Sequence, residues 1–263
     1  MNELTSFMHL LCDSAHKETL AHFRTSTIVD NKEDQSFDPV TEGDRNAELA
    51  IRALINKNHP EHGILGEEFG PENLDAEYVW IIDPIDGTRA FISGVPVWGT
   101  LIGLAVDGRD DRGIMYQPFT GERFFSDGIL SWYLGPGVKS QQRLTTRDCP
   151  SLGDALMMTT SPKIFSKQDV SAYERVEDAV RLTRYGTDCY AYCMIAAGQI
   201  DLVVESDLKA YDIAALVPLV KHAGGVISDW EGNPVNVLDT GKGQVVASGC
   251  ARIHDEALKL LNA

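Results

Sequence analysis

Apolar residues at Leu4, Phe7, Met8, Leu11, Ala15 and Leu20 recur at helical spacing, so the chain opens on an amphipathic helix over 4–23. Its histidines, His9, His16 and His22, read as exposed side chains rather than ligands. Residues 30–39 are polar and aperiodic and read as a mobile loop. A second helix follows over 41–58, with Ala47, Leu49, Ala50, Leu54 and Ile55 as its buried stripe. Thr41 is placed to cap it, with Asp44 three residues on as the acidic member of a capping box. Short runs of β-branched and aromatic residues then predict strands over 63–68, 78–82, 97–106, 113–116 and 123–126, with a turn at Asp107-Gly108. Gly135-Pro136-Gly137 separates the halves, residues 1–135 and 136–263. In the second half strands over 155–159, 182–185, 201–204, 225–228 and 245–247 alternate with helices over 168–179, 188–197, 212–223 and 250–261. Such alternation indicates α/β layering. Pro218 falls inside the 212–223 helix, where a bend is expected.

A chain of 263 residues that is 43% hydrophobic can bury a sizeable core, as one large domain or as two half-sized layers packed together. No apolar run reaches the roughly 20 residues of a membrane span. The first residues have no basic region of the kind that opens a secretory signal, and the five cysteines show neither C-x-x-C pairs nor zinc spacing. The expected setting is cytoplasmic, with reduced thiols. A formal net charge of −16 argues against nucleic acid and anionic membranes as partners. It equally repels phosphate esters, unless bound cations invert the field locally.

The densest chemistry lies at the end of the strand over 78–82, in Trp80-Ile81-Ile82-Asp83-Pro84-Ile85-Asp86-Gly87-Thr88. Pro84 and Gly87 stop the strand and turn the chain, which leaves Asp83 and Asp86 at a sheet rim. Two carboxylates so close share a proton or hold a cation. Thr88 opens a new helix, with a hydroxyl and an N–H suited to phosphate. Glu67 and Glu68 end the preceding strand on opposite faces, so one of them joins the pair. Glu205 ends the 201–204 strand, and Asp212 opens a later helix as a metal carboxylate or as its N-cap. All-oxygen donors suit a hard cation such as Mg2+. The plain alternative, that Asp-Pro and Asp-Gly are ordinary turn formers, weakens as these partners accumulate.

Gly66-Glu67-Glu68, the 80–88 stretch, Tyr211-Asp212-Ile213-Ala214-Ala215 with Ala223-Gly224-Gly225, and Val40-Thr41-Glu42-Gly43-Asp44 together resemble the inositol monophosphatase superfamily, over nearly the whole chain. The resemblance implies a five-layer α-β-α-β-α sandwich and a Mg2+-dependent, lithium-sensitive phosphomonoesterase. It further implies two to three ions per site, with Mn2+ as a substitute, and a homodimer. Glu67, Asp83 and the carbonyl of Ile85 look like ligands of one ion, and Asp83, Asp86 and Asp212 of a second, with a weaker third ion sharing Glu67. By the same resemblance, Glu67 and Thr88 orient the attacking water, Asp44 supports Thr88, and Asp86, Gly87 and Thr88 meet the phosphate. Tyr211 departs from the tryptophan usual in the family.

Substrate choice falls to Asp188, Glu205 and Asp212. Asp188 stands where inositol phosphatases usually have a small residue, and a carboxylate there favours a cationic alcohol. Gly186-Thr187-Asp188-Cys189-Tyr190-Ala191-Tyr192 and Leu208-Lys209-Ala210-Tyr211-Asp212 resemble the histidinol-phosphate phosphatase branch, so L-histidinol phosphate is the expected substrate. Inositol 1-phosphate or another sugar phosphate is the alternative, and a non-catalytic regulatory member of the fold a remote one. For Asp188 itself the plain alternative is a helix N-cap. The Asp83–Asp86 spacing excludes haloacid-dehalogenase-type phosphatases, and no C-x5-R or G-x-x-x-x-G-K motif is present.

Overall fold

The computed structural model describes residues 2–25, 30–31 and 39–263. Helix α1 (Glu3–Leu20) starts on Asn2, whose side chain accepts the N–H of Thr5. Strands β1 (Asp30–Asn31) and β2 (Pro39–Val40) pair as a short antiparallel ladder. Residues 32–38, most of the expected loop, lie outside the described residues. Helix α2 (Glu42–Asn58) begins with the expected capping box: Thr41 accepts from Gly43, and Asp44 takes the Thr41 N–H at 2.9 Å. Such a cap contributes about 1 kcal/mol.

The first sheet has eight strands in the order β10-β9-β8-β7-β6-β5-β3-β4. They are β3 (Gly63–Gly66), β4 (Gly70–Glu72), β5 (Tyr78–Asp86), β6 (Gly99–Val106), β7 (Arg109–Gln117), β8 (Glu122–Ser126), β9 (Ser131–Leu134) and β10 (Gln142–Arg143). Strand β5 is an interior strand, parallel to β3 and antiparallel to β6. Its side chains alternate between two cores. Trp80 and Ile82 pack with Met8, Leu11, Ile51 and Ile55 of α1 and α2, whereas Ile81 faces Ile195, Ile213 and Leu216 on the other side. Burial on both faces is why β5 reads as an unbroken apolar run.

Helix α3 (Thr88–Ile92) follows β5 directly, and α4 (Asp169–Glu177) comes well after the first sheet. The second sheet contains β11 (Leu156–Thr159), β12 (Leu182–Tyr185), β13 (Leu202–Glu205), β14 (Val226–Ser228) and β15 (Val245–Ser248), in the order β12-β11-β13-β15-β14. Helices α5 (Tyr190–Ala196), α6 (Ala210–Ile213) and α7 (Leu216–His222) lie between the sheets and share a core with both. Helix α8 (Ala251–Leu261) joins α4 on the outer face, where Tyr173, Val176, Ile253 and Ala257 cover Leu202, Val204 and Val246. The result is the α-β-α-β-α sandwich. Among the described residues no helix is long and apolar enough to cross a membrane.

The structure corrects several expectations. In α2 the inward stripe is Ala47, Ile51 and Ile55, while Leu49 is 51% exposed. Glu48 and Arg52 occupy the same buried face as an i,i+4 ion pair, so charged residues replaced the apolar ones that the stripe required. His9 is buried, edge-on to Phe125, with Nδ1 3.0 Å from an Arg123 nitrogen. Burial and that guanidinium lower its pKa to about 4. The single helix expected over 212–223 is two helices, interrupted at Ala214–Ala215. Pro218 then falls in the first turn of α7, where its missing N–H costs nothing. The apolar pattern predicts none of the short strands β1, β2, β4, β9 and β10.

Candidate active site

The site is assembled at the end of β5. Asp83 pairs with Leu101 and Asp86 with Gly99, so three steps along β5 answer two along β6. The bulge re-aims both acids. The Asp83 Oδ1 accepts the Ile85 N–H at 3.0 Å, and Thr100 donates its hydroxyl to the Pro84 carbonyl at 2.8 Å, which pins the bulge. Gly87 then turns with φ +80°, a torsion that favours glycine, and α3 starts at Thr88.

Three other segments bring partners. The Glu67 N–H donates to the Ile82 carbonyl, so Glu67 continues alongside β5 after β3 ends. The turn carrying it is clamped from α2: Glu48, fully buried, accepts the N–H groups of Glu68 at 2.8 Å and Phe69 at 3.2 Å while paired with Arg52 at 2.8 Å. A Cβ on Gly66 would overlap the Glu48 carboxylate. From α6 comes Asp212. It is the third residue of its helix and not the N-cap, and its Oδ2 accepts the Lys209 N–H at 2.7 Å. From the loop before α5, the Cys189 N–H donates to Asp86 Oδ2 at 2.8 Å.

Asp83, Asp86 and Asp212 each present an oxygen within 4.8 Å of the others. These three, with Glu67, Ile85, Gly87, Thr88 and Asp188, line a pocket of about 360 Å³. The electrostatics follow from crowding. Burial, then the charges of Glu67, Asp86 and Asp212, push Asp83 well above the usual carboxylate range. Asp86 is raised by burial and by Asp188 and Asp212. Burial raises Asp212 to about 7, against the hydrogen bond from Lys209. Carboxylates held together at this cost could hold a hard divalent cation, which would replace the protons they otherwise hold.

A second grouping, His59, Glu61 and His62, also brings ligand atoms within 4.8 Å. There the Trp80 indole donates to His62 Nδ1 at 3.0 Å, so the proton of the neutral ring is on Nε2, which faces Glu61 at 3.3 Å. That nitrogen is a donor already paired with a carboxylate, and the geometry does not suit a metal.

Asp188 sits on the pocket wall. A Cβ on Gly87 would lie 3.1 Å from its Cβ and Cγ, so the absence of a side chain at Gly87 lets Asp188 approach the turn. Its φ is +45°, and the cap residue of α5 is Cys189, so the alternative of a regular N-cap at Asp188 does not hold. Burial and Glu205 raise its pKa to about 7, opposed by Arg89.

Two predicted residues stand behind the wall. Glu205, 2% exposed, accepts both the N–H and the hydroxyl of Thr160, at 2.9 and 2.6 Å, and the hydroxyl of Tyr192 at 2.9 Å. Thr160, not Glu205, lines the pocket. Asp44 directs Oδ2 to the N–H and hydroxyl of Thr41, and Thr88 donates its hydroxyl to the Ile85 carbonyl at 3.2 Å. An Asp44–Thr88 hydrogen bond is not among those of the described residues. Burial raises Asp44 to about 7. The supports that the sequence reading missed are Glu48, Arg52, Thr160, Tyr192 and the N–H groups of Cys189 and Lys209. Only the Glu48–Arg52 spacing carried a usable signal; backbone donors have none.

A model of the inositol monophosphatase family matches residues 1–263. The chain is 42% identical over 260 residues to the bifunctional phosphatase IMPL2 of Arabidopsis thaliana, covering 95% of this chain and 72% of that protein. It is 33% identical over 240 residues to a histidinol-phosphatase of Chlorobaculum parvum, covering 90% and 89%. An inositol monophosphatase structure from Zymomonas mobilis superposes with a TM-score of 0.86 at 40% identity, over 98% of this chain and 97% of that one. The acid-ringed pocket and these likenesses converge, and the chain belongs to the inositol monophosphatase family of metal-dependent phosphatases.

Proposed function

We propose that this phosphatase hydrolyses L-histidinol phosphate to L-histidinol and phosphate with Mg2+. The observation that carries the reading is Asp188, a carboxylate outside the Asp83–Asp86–Asp212 group yet on the same pocket wall, against the Gly87 turn. A phosphate seated at Gly87 and Thr88 would put its leaving alcohol beside Asp188. A neutral polyol gains little from that charge, and an ammonium gains a charge-assisted hydrogen bond. Glu205 adds a second negative charge through Thr160. The likeness to a histidinol-phosphatase supports the same substrate.

Glu67, Asp83, Asp86, Asp212 and the Ile85 carbonyl are proposed to hold two to three ions. When bound, Mg2+ neutralises charge on the phosphoryl oxygens and acidifies the attacking water. The protein's part is positional. Gly87 and Thr88 offer N–H groups to the phosphate, with Asp86 at its edge. The Thr88 hydroxyl already donates to the Ile85 carbonyl, which leaves its lone pairs to accept from water, and Glu67 would accept a second hydrogen bond from that water. Water's oxygen bonds to phosphorus as the ester P–O bond breaks, and the proton passes to the departing alcohol. Asp44 stabilises the start of α2 from behind. A cytoplasmic homodimer, sensitive to lithium, belongs to the same proposal.

Inositol 1-phosphate remains the second reading, favoured by the likeness to the Zymomonas mobilis structure. Phosphate release from the two esters, side by side with Mg2+, decides between them. A preference of tenfold or more for histidinol phosphate is expected, on the order of one charge-assisted hydrogen bond. A preference for the inositol ester would overturn the proposal.

A further inference from the structure

Gly103 of β6 and Gly113 of β7 are direct partners in the antiparallel ladder, so two positions without side chains lie next to each other on the sheet. Neither has positive φ, so the need is for space and not for torsion. A Cβ on Gly113 would overlap the Ala215 carbonyl oxygen and lie 2.6 Å from that residue's carbonyl carbon and Cα. On Gly103 it would lie 2.8 Å from the Ala214 carbonyl carbon and 3.0 Å from its Cβ and oxygen. Almost everything met is backbone, which cannot rotate aside. The two glycines form a notch, and the chain seated in it is the Ala214–Ala215 link where α6 ends and α7 has not begun.

Asp212 lies two residues before that link. Helix α6 is a single turn, too short to hold its own place. Asp83 and Asp86 belong to the first sheet, and Asp212 reaches them from the layer packed against it. The structure assigns to the Gly103–Gly113 pair the positioning of Asp212: the depth of the notch sets how closely α6 approaches β5, and so whether Asp212 closes the metal-binding group. The inference rests on the proposed ligand role of Asp212. Ordinary contact at Gly103 requires a retreat of roughly half an ångström, the tolerance of a preorganised site.

The test is calorimetric titration of the whole protein with Mg2+, beside its melting temperature. Gly103→Ala should weaken Mg2+ binding by about tenfold, the scale of losing a ligand's support. Gly63→Ala is the control: its Cβ would overlap the Asn73 carbonyl oxygen at the start of β3, away from the acids, so it should lower the melting temperature and leave Mg2+ affinity unchanged. In an Asp212→Asn background, Gly103→Ala should cost no further affinity. Gly113→Ala is the harsher second variant, with a larger expected loss, and if it does not fold the milder one decides. Wild-type Mg2+ affinity in Gly103→Ala, or a loss that persists in full without the Asp212 charge, would overturn the assignment while leaving the ligand role intact. Unchanged Mg2+ affinity in Asp212→Asn alone would remove the ligand role, and the notch's function with it.

Discussion

Replacing Asp188 tests the choice of leaving group, and its backbone torsion dictates which replacement is informative. At φ +45° the residue occupies the left-handed region, which asparagine tolerates and which costs most other residues roughly 1–2 kcal/mol. Asp188→Asn therefore removes the charge and keeps the backbone, whereas Asp188→Ala disturbs both. A hydrogen bond to a charged group contributes about 1.5–3 kcal/mol, and 1.36 kcal/mol is about a factor of ten in rate. Asp188→Asn should thus lower kcat/KM for histidinol phosphate by about ten- to a hundredfold. Turnover of inositol 1-phosphate should change little. Asp188→Ala should show the same ratio between substrates and also melt lower, by about 2–8 °C at the sensitivity of a chain this size. Phosphate release at saturating Mg2+ and thermal melts supply both readings. Equal losses on the two esters in Asp188→Asn would refute the charge argument.

Asp83→Asn should abolish Mg2+-dependent turnover, because a buried acid of the proposed metal-binding group loses its charge; near-normal activity would remove it from that group. Glu48→Ala leaves two N–H groups unpaired in the turn carrying Glu67 and leaves Arg52 with only Glu72 and the Gly70 carbonyl, and should destabilise the fold by about 2–3 kcal/mol in denaturant titrations. A change below about 1 kcal/mol would mean that solvent replaces the clamp. Asp44, Asp188 and Asp212 are each raised from 3.8 to about 7, chiefly by burial. Between those values these three acids hold more protons in the folded chain than in the unfolded one, so their contribution to stability falls as pH rises from about 4 to about 7 and outweighs that of His9, whose lowered pKa acts in the opposite sense. In EDTA the protein should melt lower at pH 8 than at pH 5.5, and Mg2+ should raise the melting temperature more at pH 8, where no protons need displacing. A metal-free melting temperature that rises over that interval would contradict the picture of mutually crowded acids.

Within one element, sequence was a sufficient guide. Strand β5 announced itself because burial on both faces selects an unbroken run of apolar residues, and the bulge acids follow from Pro84 and Gly87. Thr41 and Asp44 formed their capping box because the groups it joins are three residues apart. The family, and through it the layered fold, was legible because short motifs preserve local chemistry. Tertiary structure decided whatever depends on distant neighbours. Glu48 and Arg52 lie on a buried helix face because the Glu67 turn supplies donors for a carboxylate, which no helical period encodes. Glu205 ends at Thr160 and Tyr192, and Asp188 takes a left-handed torsion against Gly87. The helix expected over 212–223 breaks at Ala214–Ala215, inside a notch made by two glycines about a hundred residues earlier. Spacing along the chain determines what a residue can do with its neighbours on one helix or strand. Contact between layers depends on packing, and there a missing side chain in one strand can set the place of an acid in another half of the chain.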